Sequence, residues 1–406
     1  MPEVSIVMPT YNRADTIGRA IDSVLRQTLQ DWELLVVDDG STDATCALVE
    51  GLDVRIKLLR QENRGCYVAR NNGLRNSRGR YITFLDSDDE WQPYFLEITL
   101  AFLKWSPTDQ FVMTSFLEDW GVGPRIEHDR YEVAVQFPRM ARLVGSRMLD
   151  LPPGEADDYL RVYSTREPLG HWGRDIAVRA GHPLAALYRG NIFEHLRFGH
   201  LGWLPVTVLS RRALDTIGLF PENYRTAADY RFLGLLYRQY VANMITLPGA
   251  IKHNKATGGH DLAEAHLASG ANEYRYAAQR LPLFDDLFWN ERRADPEISR
   301  VRGLYQFYAG RTALEHGKRQ EALEHLREAC EAMPGLWRAR GLRLLVWAVP
   351  SGRIGGRVYG FCLYLRYLAR RIASKELGAF EVVRLAAKKV SARVDARHAR
   401  ARDRPR

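Results

Sequence analysis

The sequence predicts an α/β fold built around a doubly wound sheet. In the first part of the chain, short apolar runs typical of buried strands alternate with segments whose apolar residues recur at helical spacing. Turn-forming or acidic residues follow the strand candidates, and in sheets of this kind ligands bind beyond the carboxyl ends of the strands. The four strand candidates are residues 4–8, 33–38, 55–59 and 80–85.

Helices are predicted between these strands and again later in the chain. One helix is centred on residues 17–25, and another follows Gly65. Residues 107–202 are rich in Gly, Pro, His and Trp, and no topology is predicted for them. Regularity then returns in three elements, which are a strand at 204–209, a short helix at 211–217 and a helix at 229–240.

Length and composition indicate a soluble protein with more than one domain. The chain has 406 residues, of which 46% are hydrophobic and 26% charged. Its four cysteines show no CxxC spacing, which argues against a zinc site or a disulfide framework and fits a reducing compartment. The first residues lack a basic start followed by a long apolar stretch, and no run of apolar residues is long enough to span a bilayer. A cytoplasmic location is therefore expected.

The positive charge of the chain is concentrated at its end. Residues 351–406 hold 15 Lys or Arg and four Asp or Glu, whereas the whole chain has a formal net charge of +9. Apolar residues within this segment recur at helical spacing, a pattern that suits the interface of a membrane. An anionic membrane surface is the predicted partner, at the inner face of the cell membrane. Nucleic acid is not predicted, because the segment has few aromatics and no recognition motif.

The strongest chemical signal is the cluster Asp86-Ser-Asp-Asp89, which directly follows a strand candidate. Carboxylate oxygens are the ligands that Mg²⁺ and Mn²⁺ prefer, and such an ion can stabilise a departing diphosphate. Most isolated Asp-Xaa-Asp triplets are solvated turns, so the preceding strand is what makes a cation site the favoured interpretation.

Five motifs in the N-terminal part stand in a characteristic order. Together they closely resemble the family 2 glycosyltransferases, which have the GT-A fold; the match is dense over about residues 1–100 and loose over 204–255. The resemblance implies a GT-A-type nucleotide-binding domain with a mixed central sheet, and an α-helical C-terminal region is predicted to follow. The five motifs are Val4–Asn12, Val36–Asp43, Glu62–Gly65, Ala69–Asn71 and Phe84–Asp89.

The resemblance implies an inverting transfer from a nucleoside-diphosphate sugar and assigns residues to the donor. Thr10 and Tyr11 are similar to the loop over the nucleotide, and Asp39 to the carboxylate that faces the base. Arg70 stands where a basic residue approaches the nucleotide, and Asp86 where the ribose or sugar is contacted. The alternative for Arg70 is an ordinary surface position on a helix.

The same resemblance implies a divalent cation, Mn²⁺ or Mg²⁺. Asp88 is similar to the metal ligand of the family, and Asp89 could instead serve as the N-cap of the next helix. His253 lies in a stretch where some relatives place a histidine near the diphosphate and the metal. The alternative for His253 is a surface loop residue.

The catalytic base is expected later in the chain. In the family, this Asp opens a helix shortly after a Gly-Xaa-Phe-Xaa-Glu turn, and here Asp229 follows such a turn, which ends at Glu222. Ala228 departs from the family pattern, in which an acidic residue is common at this position. Two alternatives stay open. Asp229 could simply be an N-terminal helix residue that is favoured by the helix dipole, or Glu222 could be the base.

The predicted partners are a sugar nucleotide as donor and a glycan or glycolipid as acceptor; no oligomeric state is predicted. The main alternative function is a non-catalytic scaffold that binds sugar nucleotides. A dehydrogenase is disfavoured because no Gly-Xaa-Gly-Xaa-Xaa-Gly turn follows the first strand. The predicted domains are 1–260 (1–106 for the nucleotide sugar, 107–260 for the acceptor side), a linker at 261–300, a tetratricopeptide-like helical region at 301–349 and a basic amphipathic tail at 350–406.

Overall fold

The structure is a computed structural model. It describes residues 1–119, 125–127, 137–146, 148, 157–199, 202–224, 226–253, 280–315 and 318–335. The predicted basic tail and residues 261–279 of the predicted linker lie outside these residues.

The N-terminal part consists of strands and helices in strict alternation. Strands β1, β2 and β4 are buried along their whole length, as their continuous apolar runs predict for a sheet covered on both faces. The sequence-based prediction of an α/β fold is confirmed. The elements are β1 (Val4–Thr10), α1 (Ile17–Leu25), β2 (Trp32–Asp38), α2 (Thr45–Val49), β3 (Ile56–Arg60), α3 (Cys66–Asn76) and β4 (Tyr81–Phe84).

The following part adds strands to the same sheet and helices to its faces. The strands are β5 (Glu90–Trp91), β6 (Phe111–Asp119), β7 (Ile126–Glu127), β8 (Thr165–Pro168), β9 (Ala186–Gly190), β10 (Thr207–Ser210) and β11 (Ala242–His253). The helices are α4 (Phe95–Trp105), α5 (Phe137–Val144), α6 (Arg174–Arg179), α7 (Arg211–Ile217) and α8 (Ala228–Gln239).

Within the described ranges, these strands form a single mixed sheet. Its order is β3-β2-β1-β4-β10-β6-β11-β9-β8, with β5 beside β11 and β7 beside β6. β1 is parallel to β2 and β4, whereas β10 runs antiparallel to both β4 and β6. The expected mixed central sheet is confirmed, and the carboxyl ends of β1, β2 and β4 meet at one edge.

Several strands of the sheet were not predicted, and the longest of them, β6 and β11, pair in parallel with each other. The register of β11 shifts between Ile245 and Ala250, where Pro248 and Gly249 interrupt the alternation. A Cβ at Gly249 would lie 2.2 Å from Oγ1 of Thr114, so the two backbones approach closely at this irregularity. Because the bulge breaks the alternation of side chains, sequence periodicity does not predict this strand.

Successive side chains of the central strands enter two separate cores. Ile6 packs in the cluster that contains α1 and α4, whereas Val7 packs in the cluster that contains α3, α7 and α8. Burial of apolar area stabilises these layers by about 25 cal/mol per Å². The sheet is thereby a rigid base for the residues at its edge.

A helical hairpin follows, formed by α9 (Pro296–Glu315) and α10 (Arg319–Ala332). Gly310 allows close packing, because a Cβ there would lie 2.9 Å from Cγ of Leu326. Residues Phe284 and Ile298 are fully buried in the same core as α8. The predicted α-helical C-terminal region is confirmed, while its tetratricopeptide character and the domain boundaries stay predictions. Among the described helices, none has the length and apolar character needed to span a membrane.

Candidate donor and catalytic site

The candidate site begins where β1 ends. Thr10 is buried and pairs in register with Asp38 of β2, and its Oγ1 has no hydrogen-bond partner within the described residues. The next residue, Tyr11, is 44% exposed. A buried hydroxyl beside an exposed ring can take a hydrogen bond from a ligand that the ring covers.

The loop after β1 is fastened to the turn after β2. Asn12 adopts a positive φ of 51°, and its backbone N–H donates to Oγ of Ser41 at 2.8 Å. Oδ1 of Asn12 accepts from the backbone N–H of Thr42, also at 2.8 Å. These bonds fix the loop that carries Tyr11 relative to the end of β2.

Asp39 is buried at the end of β2 and holds the segment before α3. Its Oδ1 accepts from Nε2 of Gln61 at 2.8 Å and from the backbone N–H of Arg64 at 2.9 Å. Its Oδ2 accepts from the backbone N–H of Gly65 at 2.8 Å. Asp39 therefore shapes the wall of the site on this side, whatever else it contacts.

Arg70 and Asp86 form an ion pair between α3 and the end of β4. Nη2 of Arg70 lies 2.5 Å from Oδ1 of Asp86, and the Arg70 side chain is 9% exposed. Burial by itself would lower the pKa of the guanidinium, but the surrounding acidic groups, of which Asp86 has the largest effect, together outweigh burial and raise it. Arg70 is therefore an interior cation of the site rather than an ordinary surface residue.

Two arginines approach Asp88. Nη2 of Arg13 lies 3.2 Å from Oδ2 of Asp88, and Nη2 of Arg19, on α1, donates to the backbone carbonyl of Asp88. Asp88 itself is partly exposed, with 27% of its side chain accessible. A carboxylate in this position can bind a ligand from solvent while arginines supply positive charge beside it.

Asp89 joins the Asp86–Asp89 turn to the end of β11. Its Oδ1 accepts from the backbone N–H of His253 at 2.9 Å. Burial raises the pKa of Asp89 well above its ordinary value, and the neighbouring carboxylates of Asp88 and Asp86 add to this rise. Asp89 is therefore a buried link between strands.

His253 is brought to the same end of the sheet by β11. Its Nε2 lies 3.5 Å from Oε1 of Glu90, and its Nδ1 lies 4.0 Å from Oδ2 of Asp119. Burial and the positive charge of Arg19 lower the pKa of His253, which favours the neutral imidazole that binds metals.

The side chains at this edge fit a hard divalent cation. Most coordination positions of such an ion would be filled by oxygens that do not come from the protein. Over the ranges that the structure describes, no three His, Cys, Asp or Glu side chains converge on one point as a complete metal cage. Mg²⁺ is commonly held by one or two carboxylates together with the phosphates of a substrate. Asp88 is partly exposed, and the residue after it, Asp89, accepts from the backbone N–H of His253, so the end of the sheet that carries both Asp88 and His253 suits that arrangement.

Asp229 reaches the site from α8, on the other side of α3. Its Oδ1 accepts from the hydroxyl of Tyr67 at 3.3 Å and from the backbone N–H of Tyr230 at 3.0 Å. The preceding Ala227 adopts a positive φ of 63°, which turns the chain into the helix at this point. The side chain is half-buried.

Four of the predicted residues act on the thiol of Cys66, the first residue of α3. Burial raises the pKa of the Cys66 thiol, and the nearby Arg70 opposes that rise. Such electrostatic effects require short distances. Three carboxylates act on the same thiol, which are Asp86, Asp229 and Asp39.

Glu222, the alternative base, is engaged elsewhere. Its Oε1 accepts from Nδ2 of Asn71 at 3.0 Å and pairs with Nη2 of Arg75 at 2.9 Å. The hydrogen bonds from Asn71 and Arg75 lower the pKa of Glu222. A carboxylate with a lowered pKa in an ion pair is a weaker proton acceptor, so the geometry favours Asp229.

Sequence reasoning missed several residues of this site. Arg13 directly follows the Thr-Tyr-Asn motif, and that position could have been singled out. Tyr67 and Asn71 contact residues about 150 positions away, Asp229 and Phe220, and no local pattern reports such contacts.

Comparison with known proteins agrees with this geometry. Residues 5–165 match the family described as "Glycosyl transferase family 2". The structure of S. aureus TarS 1–349 in complex with UDP-GlcNAc is similar with a TM-score of 0.50 at 17% identity, covering 88% of each chain, and shows the fold. Residues 5–165 are therefore similar to the family 2 glycosyltransferases, and the chain has a GT-A-type fold.

Two curated relatives match the N-terminal part. A putative teichuronic acid biosynthesis glycosyltransferase, TuaG of Bacillus subtilis, is 44% identical over 106 residues, which are 25% of this chain and 42% of that protein. The Escherichia coli UDP-Glc:alpha-D-GlcNAc-diphosphoundecaprenol beta-1,3-glucosyltransferase WfgD is 49% identical over 102 residues, which are 25% of this chain and 40% of that protein. The matched segment thus spans less than half the length of either relative.

Proposed function

We propose that this protein is an inverting glycosyltransferase that moves a sugar from a nucleoside-diphosphate sugar to an acceptor hydroxyl. The observation that carries the proposal is the approach of Asp229, on α8, to the same turn of α3 that carries Arg70, the partner of Asp86. A protein that only bound sugar nucleotides would have no need of a second carboxylate here. This argues for catalysis over a scaffold.

The donor nucleotide is proposed to lie across the carboxyl ends of β1, β2 and β4. Tyr11 would cover it, and the buried hydroxyl of Thr10 would bond to it. Asp39, which holds the loop before α3, would lie on the side of the site where the nucleobase binds. Asp86 would accept from a ribose or sugar hydroxyl, while Arg70 orients that carboxylate.

The departing diphosphate needs positive charge. Arg13 and Arg19 lie beside Asp88 and would supply part of it from the protein. A divalent cation, Mn²⁺ or Mg²⁺, would be held by Asp88 with His253 and would supply Lewis-acid stabilisation of the leaving group. These residues lie at the same end of the sheet because β11 and β5 pair there.

Asp229 is proposed to act as the general base. It would accept the proton of the acceptor hydroxyl as that oxygen bonds to the anomeric carbon. The bond from the anomeric carbon to the diphosphate oxygen breaks on the opposite face, so the configuration inverts. The electron pair of that bond leaves with the diphosphate.

The acceptor is proposed to be a glycan or glycolipid used in cell-surface polysaccharide synthesis. The name of the WfgD relative gives a diphosphoundecaprenol-linked sugar as its acceptor. The basic segment 351–406 would hold the enzyme, from the cytoplasm, on the anionic inner face of the membrane.

A donor screen tests the proposal. The purified protein would be incubated with a panel of UDP-, GDP- and dTDP-sugars and Mn²⁺, with and without a lipid-linked sugar acceptor, and nucleotide release would be measured. We expect release from at least one donor, faster with acceptor. Tight nucleotide binding without release from any donor, with acceptor present, would instead favour the scaffold. Asp31→Asn is the control variant and should release nucleotide as the wild type does. Its exposed carboxylate precedes β2, at the opposite edge of the sheet from the site.

A further inference from the structure

Tyr67 is a buried residue of α3 that connects both halves of the site. Its hydroxyl donates to Oδ1 of Asp229 at 3.3 Å, although the two residues are 162 positions apart in the chain. It is only 5% exposed. Neither the sequence motifs nor the proposed mechanism assigns it a role.

The ring of Tyr67 is fixed by aromatic neighbours. It stacks on Phe220 with ring centroids 5.6 Å apart, and Phe220 stacks in turn on Phe232 of α8 at 4.1 Å. Stacking of this kind restricts the rotamers of all three rings. The hydroxyl of Tyr67 is thereby held at a defined place.

The same ring lies under the guanidinium of Arg70, whose Cζ is 5.3 Å from the ring centroid. Arg70 binds Asp86 on the donor side of the site. One side chain therefore contacts the proposed base through its hydroxyl and the donor-side cation through its ring face.

The hydroxyl of Tyr67 can act only as a neutral group in the working pH range. Burial raises its pKa well above the ordinary value, and the charge of Asp229 adds to that rise. It therefore remains protonated and able to donate to a carboxylate.

We propose that Tyr67 is the positioning residue for the base. Its hydroxyl holds the Asp229 carboxylate in place, and its ring packs against the guanidinium of Arg70. The base is thereby held at a fixed position relative to the donor side of the site. This inference rests on the proposed function and adds to it the residue that couples the two substrates.

Among the described residues, charged and titratable groups reach the cluster around the base from α3 and from the ends of β2 and β4. Cys66, Tyr67 and Arg70 lie on α3, and Asp39 and Asp86 act on the same cluster from the ends of β2 and β4. Among these, Tyr67 is the group with a described hydrogen bond to the Asp229 carboxylate. Removing that bond leaves the carboxylate less firmly oriented.

Two substitutions separate the hydroxyl from the ring. Tyr67→Phe keeps the ring and removes the hydroxyl, so we expect kcat to fall about tenfold while nucleotide affinity stays within about twofold. The pH–rate profile should change as well, because the proposed base loses a hydrogen bond. Tyr67→Leu also removes the ring beneath Arg70, so nucleotide affinity should fall as well.

The matched control is Tyr94→Phe. Tyr94 is a part-buried tyrosine whose hydroxyl donates to the backbone carbonyl of Pro248 at 2.8 Å, away from Asp229. Its loss should leave kcat and the pH profile unchanged. A wild-type kcat and pH profile in Tyr67→Phe, or an equal change in Tyr94→Phe, would overturn the positioning role.

A measurement without turnover keeps this inference separate from the proposed function. Infrared difference spectroscopy would follow the carboxylate stretching band of Asp229, with Asp229→Asn identifying that band. In Tyr67→Phe the band should shift, because the carboxylate loses the hydrogen bond from the tyrosine hydroxyl, and an unchanged band would refute the contact. Failure of the wild-type protein to transfer sugar would refute the enzymatic proposal through a different observable.

Discussion

Nη2 of Arg13 lies 3.2 Å from Oδ2 of Asp88, so the loop after β1 brings a permanent cation to the carboxylate that we propose binds the metal. Arg19 donates to the backbone carbonyl of the same residue. Positive charge from the protein and from a divalent cation would therefore act at one place, beside the departing diphosphate.

Asp88→Asn should remove the metal-dependent part of nucleotide affinity. The amide cannot supply a charged oxygen ligand, so calorimetry should show that Mn²⁺ no longer strengthens UDP binding, a loss of about tenfold or more. Asp31→Asn serves as the control and should behave as the wild type. An unchanged response to Mn²⁺ in Asp88→Asn would remove Asp88 from the metal site.

Asn71→Ala should destabilise the fold by about 2–4 kcal/mol, because two buried backbone groups lose their partner. Nδ2 of Asn71 donates to the carbonyl of Phe220 at 2.8 Å, and its Oδ1 accepts from the N–H of Phe220 at 2.9 Å. Urea unfolding measures the effect. Asn76→Ala is the control, because the Asn76 side chain is exposed and its hydrogen bonds to described residues are with Asn72, within α3. Equal stability of the two variants would contradict this account of the turn.

Glu33 lies at the edge of the sheet opposite the site, and it should make the stability of the fold depend on pH. Burial acts to raise its pKa, but hydrogen bonds from Lys57, Ser5 and the backbone N–H of Arg78 outweigh burial and lower it below the ordinary value of 4.5. A carboxyl whose pKa is lowered in the folded state stabilises the fold above its unfolded pKa. That contribution is lost as the pH falls through the lowered value.

The urea midpoint of the wild type should therefore fall between pH 6 and pH 3, and Glu33→Gln should show a smaller fall. The matched comparison is Glu50→Gln, since Glu50 pairs with Arg60 in an exposed ion pair. If Glu33→Gln and the wild type lost stability in parallel as the pH falls, the network would have no such role.

The basic segment 351–406 should bind anionic vesicles in a salt-sensitive way. Each Lys or Arg near an anionic surface contributes about 1 kcal/mol, and 0.15 M salt screens charges beyond about 8 Å. The triple change Arg366→Gln, Arg370→Gln and Arg371→Gln should weaken co-sedimentation with phosphatidylserine vesicles. Phosphatidylcholine vesicles are the control. Undiminished co-sedimentation of the triple variant would contradict this role for the segment.

The sequence was most informative where local pattern and structure coincide. β1 and β4 are short apolar runs closed by Pro9 or Asp86, so both were predicted close to their observed bounds. β6 and β11 were missed, since a central strand can carry polar residues and a bulge at Gly249 breaks the alternation. Local period does not report pairing between distant segments.

In the candidate site too, local motifs predicted some residues and missed those that depend on distant contacts. Asp39, Arg70 and Asp229 could be named from motifs, and the structure brings them around Cys66. Tyr67 could not be named, because its role depends on a contact across 162 residues. Tertiary contacts between the two halves of the domain determine that part of the site.

The central claim is that Asp229 is the catalytic base, and the transfer rate of Asp229→Asn tests it most directly. The substitution keeps the shape and removes the basicity, so transfer should fall about 10²–10⁴-fold while nucleotide affinity stays within a few-fold. Glu222→Gln, measured in the same assay, should retain transfer, because Glu222 is held by Asn71 and Arg75. Near-normal transfer by Asp229→Asn, with transfer lost in Glu222→Gln, would contradict the account and move the base to Glu222.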